Sequence, residues 1–297
     1  MAHHHHHHGH GEGDVSGSDL DWAEMAEPLE AQAELFAPLY TQVLAWLGEQ
    51  VAEPGLIVDA GSGPGVVSCR FAQTFPGARV VAVDAAAPLL ERARQRAAAL
   101  GLADRFATLA GDLPSVPAES DGPVDLLWAA RSLHHIGDQG AALAAFADRL
   151  APGGTLALME GGLPARYLPR DLGLGRPGLQ SRLDGVLEAW FARMRAGLPG
   201  SVAGREDWPA LLAAAGLKHT GTRTFLLDLP APASERARAY VATSLSWLRE
   251  DCAEDIDPED LTVLDRLLDP DDEASVHRRP DVFVLAAHTV YTAVRPA

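Results

Sequence analysis

A short apolar run, Leu56-Ile57-Val58, enters the segment Asp59-Ala60-Gly61-Ser62-Gly63-Pro64-Gly65, and a helical pattern resumes at Val66. Three closely spaced glycines between a strand and a helix leave few architectures open. Glycine lets the backbone turn tightly and lets a ligand approach the main chain with no Cβ in the way. Pro64 suits a first helical turn, where its missing N–H is not needed. The dinucleotide fingerprint G-x-G-x-x-G requires glycine at 66, and valine stands there.

The chain then alternates. Strand-like runs lie at 79–83, 106–109, 124–128 and 155–159, and helical patterns at 66–75, 88–100 and 139–150, the last stopped by Pro152-Gly153-Gly154. Alternation of this kind predicts an α/β fold, a doubly wound parallel sheet with helices on both faces. Upstream, 22–50 reads as helical, with Leu35, Leu39, Val43 and Leu47 spaced for one buried face. After Glu160 the rhythm loosens. A helix is expected at 179–196, another at 206–215, β-rich runs at 222–229 and 282–294, and at least two helices within 234–269. Six consecutive histidines at 3–8 read as a purification tag. The layout is therefore a tag and flexible lead-in over 1–19 and one domain over 20–297. Its core spans 51–160, 206–229 and 281–295, with lid insertions at 161–205 and 230–280.

Composition narrows the function. A hydrophobic share of 47% in 297 residues supports a real core and excludes global disorder. Against 41 Asp+Glu stand 24 Lys+Arg, a net charge of −17, which disfavours nucleic acid as the main partner. No apolar run approaches the ~18–20 residues of a membrane span. Two cysteines, Cys69 and Cys252, suggest free thiols in a reducing compartment. No secretory h-region is visible, so a cytoplasmic protein is expected, and an Ala- and Arg-rich composition with Lys218 as the only lysine suggests a bacterial source. The charge is uneven: residues 1–69 hold 11 acids and no Lys or Arg, and 249–273 hold 12 acids against two arginines. If both stretches fold over a pocket mouth, an acidic lid would favour a cationic acceptor.

Acids recur at strand ends. Asp59 ends the first run, Asp84 the second, and Gly111-Asp112-Leu113 follows the third. Ser-Leu-His-His (132–135) follows the fourth, and Leu150-x-Pro-Gly-Gly-x-Leu156 leads into the fifth. In this order the motifs resemble those of class I S-adenosylmethionine-dependent methyltransferases, over about 56–160. The resemblance implies a Rossmann-like seven-stranded sheet whose last strand is reversed, matched by 282–294. It implies S-adenosylmethionine as cofactor and S-adenosylhomocysteine as product. Gly61, Gly63 and Gly65 would pack against the methionine moiety, with Asp59 orienting the loop and the amino group. Asp84 would hold the ribose, and Asp112 and Leu113 would meet the adenine. Ser62, Ala85, Gly111 and Arg131 complete the expected cofactor set.

The chain further resembles natural-product sugar O-methyltransferases, with the same Ser-Leu-His-His run, an acid after strand 5 and a helical insertion before the last strand. That likeness implies a histidine of the pair, His135 or His134, as general base, supported by Glu160. Histidine suits proton removal from a hydroxyl near neutral pH. Adjacent histidines are expected to diverge, leaving one facing the acceptor. His219, His277 and His288 read as structural, and no metal is implied. Trp22, Phe36, Tyr40, Tyr167, Trp190, Phe191, Met194, Tyr240 and Trp247 are candidate walls of an acceptor pocket. Arg166 and Arg170 are candidates for an anionic group on the acceptor or for surface ion pairs. The reading is methyl transfer to a small-molecule hydroxyl of a secondary metabolite. The alternatives are C- or N-methylation of a quinone or amine, and a non-methylating, cyclase-like use of the cofactor. The sequence leaves the acceptor and the oligomeric state open.

Overall fold

A computed structural model describes residues 22–113 and 122–297. The histidine tag and lead-in lie outside the described residues. Seven strands form one sheet in the order β3-β2-β1-β4-β5-β7-β6. They are β1 Leu56–Ala60, β2 Arg79–Asp84, β3 Phe106–Ala110, β4 Val124–Ala130, β5 Leu150–Arg166, β6 Lys218–Leu229 and β7 Val284–Val294. β1 pairs in parallel with β2 and β4, and so do β2 with β3 and β4 with β5. β7 runs antiparallel to both β5 and β6. This is the reversed last strand that the motif order implied.

Period-two alternation sends neighbouring strand residues to opposite faces. Ile57, Val80, Leu126 and Trp128 face a layer containing α2 (Ala37–Gln50), α3 (Val66–Thr74) and α4 (Ala87–Ala99). The same layer includes α6 (Leu179–Gly197), α8 (Glu235–Asp251) and α9 (Pro258–Leu268). Val58, Val81, Leu127 and Leu156 face α5 (Gln139–Arg149) and α7 (Trp208–Ala214). Strands buried on both faces read as continuous apolar runs, and for that reason 56–58 and 126–128 were recognisable.

Three boundaries differ from the sequence reading. The N-terminal helical stretch is two helices, α1 (Trp22–Leu35) and α2, broken at Phe36. Pro38 has no N–H to offer the carbonyl of Glu34, and its ring would crowd that carbonyl, so one helix cannot continue. β5 is 17 residues long and contains Pro152-Gly153-Gly154, Gly161 and Gly162. Its pairing with β7 shifts between Met159 and Gly162, where Gly161 and Gly162 adopt φ of 70° and 111°. This bulge carries the strand past Glu160, which therefore lies inside the strand. β6 begins at Lys218 and not at Thr222; its first residues are polar and exposed on the sheet edge, so no apolar alternation marked them.

Candidate active site

In an open parallel sheet, ligands bind beyond the carboxyl ends of the strands, where the strand order reverses. Here the order reverses between β1 and β4. A cavity of about 480 Å³ opens at that point, lined by the ends of β1 through β4 and roofed by α1 and α2.

The glycine loop forms its floor. Gly61 and Ser62 donate their N–H groups to the carbonyl of Val83, which ties the loop to β2. Gly61, Gly63 and Gly65 adopt φ of 81°, 53° and 73°, left-handed conformations that glycine enters without steric cost. Their tasks differ. A Cβ on Gly63 would meet nothing within 4 Å and would project into the cavity mouth. On Gly61 it would come within 2.9 Å of Ser132 Cβ. On Gly65 it would lie 2.5 Å from Ala93 Cβ, and Gly65 does not line the cavity. The expected contact of Gly65 with a methionine moiety is thus replaced by close packing of the loop on α4.

Asp84 ends β2 with both carboxylate oxygens engaged. Oδ2 accepts the Gly63 N–H at 2.8 Å and Oδ1 accepts the Ala86 N–H at 2.9 Å. Each oxygen keeps a further lone pair for a diol at the cavity surface. Asp59 is 2% exposed, and Ser68 Oγ donates to its Oδ2. Burial pushes its carboxyl up to about 7 despite the Ser68 hydrogen bond, and the charge of Asp84 adds to the rise. Ala85, Gly111 and Leu113 line the cavity, whereas Asp112 does not. An open floor at Gly63, a diol-ready carboxylate and an apolar edge fit a nucleoside bearing an amino-acid tail.

The far wall is the 3-10 turn Leu133–His135 after β4. Glu160, 5% exposed, holds this turn from beneath. Its Oε1 accepts the N–H groups of Ser132 at 3.0 Å and Leu133 at 2.9 Å. Its Oε2 lies 3.0 Å from His134 Nδ1. A carboxylate only accepts, so Nδ1 carries the hydrogen and Nε2 keeps a free lone pair. From α6, the Arg195 guanidinium donates to the carbonyls of His134 and Ile136. The two histidine rings do not diverge as expected. Their centroids are 4.2 Å apart and both line the cavity, because the tight turn folds the rings together. Desolvation, the adjacent His134 and the cations Arg131 and Arg195 hold His135 down at about 4, against the pull of Glu160.

Of the candidate wall residues, Trp22, Phe36 and Tyr40 line the cavity. Tyr240 stands behind Phe36, ring centroids 5.6 Å apart, and Phe191 packs on His134 at 5.7 Å. Trp190 and Trp247 pack edge to face and join α6 to α8, while Tyr167 is core. Arg166 pairs with Asp184 rather than facing the cavity. No acid of 249–273 lines the cavity. Asp255, Asp257, Asp260, Asp265 and Asp272 pair instead with Arg193, Arg176, Arg182, Arg249 and Arg266. These carboxylates tie α6, α8 and α9 to one another and to adjoining loops, so among the described residues the part of the expected acidic lid assigned to 249–273 does not face the cavity. Sequence reasoning passed over Ser68 and Arg195, and read His288 only as structural. His288 packs 5.4 Å from Phe36 and lies opposite the Gly162 bulge in the β5–β7 register, a pairing no local pattern announces.

Known proteins share these features. A family profile described as a methyltransferase domain matches residues 57–154. The trans-aconitate 2-methyltransferase of Streptomyces coelicolor is 36% identical over 156 residues, 50% of this chain and 49% of that protein. The malonyl-[acyl-carrier protein] O-methyltransferase of Xylella fastidiosa is 34% identical over 113 residues, 38% of this chain and 36% of that protein. The chain thus spans about half, or less, of the length of these relatives. A solved structure from Bacillus halodurans C-125, provisionally assigned as a methyltransferase, superposes with a TM-score of 0.52. It is 16% identical and the match covers 86% of this chain and 99% of that one, a likeness of fold. Over residues 57–154, then, the chain is similar to methyltransferase domains, and the cavity lies largely within that stretch.

Proposed function

We propose that the protein transfers a methyl group from S-adenosylmethionine to a hydroxyl of a small-molecule acceptor. One observation carries this reading: the Glu160–His134 pair and the glycine loop with Asp84 meet in a single cavity. The methyltransferase names of both relatives support the transfer itself.

The cofactor supplies an electrophilic methyl on a sulfonium. The chain supplies position, dryness and a proton acceptor. Asp84 holds the ribose hydroxyls, Gly61, Ser62 and Gly63 pass the tail without obstruction, and Asp59 faces its amino group. The main chain at Arg131 and the side chain of Leu113 complete the nucleoside's surroundings. Of the two histidines, the Glu160 contact favours His134 as base. Its Nε2 takes the acceptor proton as the new O–C bond forms and the C–S bond breaks, and Glu160 stabilises the imidazolium. His135, held near 4, stays neutral and shapes the wall.

Incubation with S-adenosylmethionine and a panel of hydroxylated aromatic and sugar acceptors should release S-adenosylhomocysteine. His134→Ala should lower kcat by roughly 100-fold or more while leaving S-adenosylhomocysteine affinity within about threefold. Equal kcat in wild type and variant would remove His134 from the reaction.

A further inference from the structure

Arg131 departs from what its position requires. It follows β4 with a φ of 51°, one of two non-glycine residues among those described with positive φ. Such a conformation costs about 1–2 kcal/mol in an ordinary residue. Its N–H donates to the carbonyl of Met159, which continues the β4–β5 pairing past the end of β4. Arg131 lines the cavity and is the one arginine or lysine among the described lining residues.

Among the described residues its guanidinium makes no ion pair, although most arginines of the helical layer are bound to carboxylates. The acids within reach are already committed. Glu160 is held by two main-chain N–H groups and His134, Asp59 by Ser68, and Asp84 by Gly63 and Ala86. The charge of Arg131 is felt by Tyr40, Tyr240, His135 and His288. Phe36 bridges these groups, touching both Tyr240 and His288. His288 Nε2 is itself buried with no hydrogen-bond partner among the described residues. Arg131 directly precedes the Ser132–His135 turn, whose His134 and His135 line the same cavity, so the cation stands on the wall that carries the proposed base. A guanidinium in such a place matches a planar anion bidentately.

We infer that Arg131 binds a carboxylate of the acceptor, so that the molecule methylated here is an organic acid rather than a cation. This rests on the reading of the cavity as a methyl-transfer site. It reverses the expectation of a cationic acceptor drawn from the acidic stretches. The same chemistry has a second source, the carboxylate at the amino-acid end of the cofactor, and the two are separable.

Three carboxylates, benzoate, phenylacetate and 4-hydroxybenzoate, would each be titrated against the corresponding amide into the full chain saturated with S-adenosylhomocysteine. At least one carboxylate should bind about tenfold tighter than its amide, as expected for a charge-assisted bidentate contact. Arg131→Gln should erase that preference, Arg131→Lys should keep part of it, and S-adenosylhomocysteine affinity should stay within about threefold in both. Equal binding of acids and amides by the wild type would overturn the inference. So would an Arg131→Gln variant that loses S-adenosylhomocysteine yet retains 5′-methylthioadenosine, which lacks the amino-acid end; that result assigns the cation to the cofactor. Failure of the wild type to bind S-adenosylhomocysteine at all would instead remove the methyl-transfer reading itself.

Discussion

Glu160 bears more of the site than any other side chain. It satisfies two main-chain N–H groups of the β4 turn and fixes the tautomer of His134, all from a buried position. Glu160→Ala would strand those donors, so a loss of about 2–3 kcal/mol in chemical denaturation is expected. Glu160→Gln, whose amide oxygen can still accept both N–H groups while its NH2 replaces the acceptor facing His134 Nδ1, should recover much of the stability but not the rate. Equal stability of Ala and Gln variants would show that the turn does not lean on this carboxyl. Asp59 gives a pH test. Its buried carboxyl is pushed up to about 7, so it is largely protonated below that pH in the free protein. On the proposed reading a cofactor ammonium would lie beside it and favour the carboxylate, so binding would expel the proton. Affinity for S-adenosylhomocysteine should therefore rise with pH up to about 7 and level off above it. The dependence should vanish in Asp59→Asn, and a wild-type affinity constant from about pH 5.5 to 7.5 would contradict the assignment.

Within the glycine loop, position decides the consequence. Gly65→Ala drives a Cβ into Ala93 on α4, and the cost of overpacking plus a left-handed alanine is about 2–4 kcal/mol. Gly63→Ala meets open space, so it should cost about 1 kcal/mol of stability yet weaken cofactor binding at least tenfold. Thermal melts and titrations of the two variants should therefore separate folding from binding; the reverse ranking would mean the loop is misread. The loop itself was legible in the sequence because its glycines, proline and flanking apolar runs are contiguous. So were β1 to β4 and the helices between them, whose burial on both faces gives unbroken apolar runs. The length of β5 was not legible. Pro152, Gly153, Gly161 and Gly162 signal turns locally, and pairing with β4 and with β7, both distant in sequence, carries the strand through them. For the same reason Glu160 read as a strand-end acid, and its saturation by the β4 turn became visible only in three dimensions.

At the scale of the whole molecule, the charge of −17 is the excess of acids over bases, while a subset of those acids ties neighbouring elements together. Glu30 and Glu34 on α1 pair with Arg92 and Arg96 on α4, and Glu34 also with Arg70 on α3. Although burial alone would raise it, Arg96 and Arg70 hold the Glu34 carboxyl below the usual range. The acids of 249–273 clamp α6, α8 and α9 in the same manner. Composition reported the number of these charges but not their partners, because pairing belongs to tertiary structure. Exposed pairs contribute little singly, at most about 1 kcal/mol each, so their role is to seat α1 across the cavity. Removing both carboxylates in Glu30→Gln/Glu34→Gln should increase amide hydrogen exchange in α1 without unfolding the sheet. Unchanged protection of α1 would mean that apolar contacts alone dock it.

The account stands on one cavity serving a nucleoside cofactor. Calorimetric titration of S-adenosylhomocysteine into the wild type and into Asp84→Ala tests it most directly. The wild type should bind with Kd of about 1–100 μM, near 5.5–8 kcal/mol, and Asp84→Ala should lose at least about 100-fold. No binding by the wild type, or equal binding by a folded Asp84→Ala variant, would contradict the account.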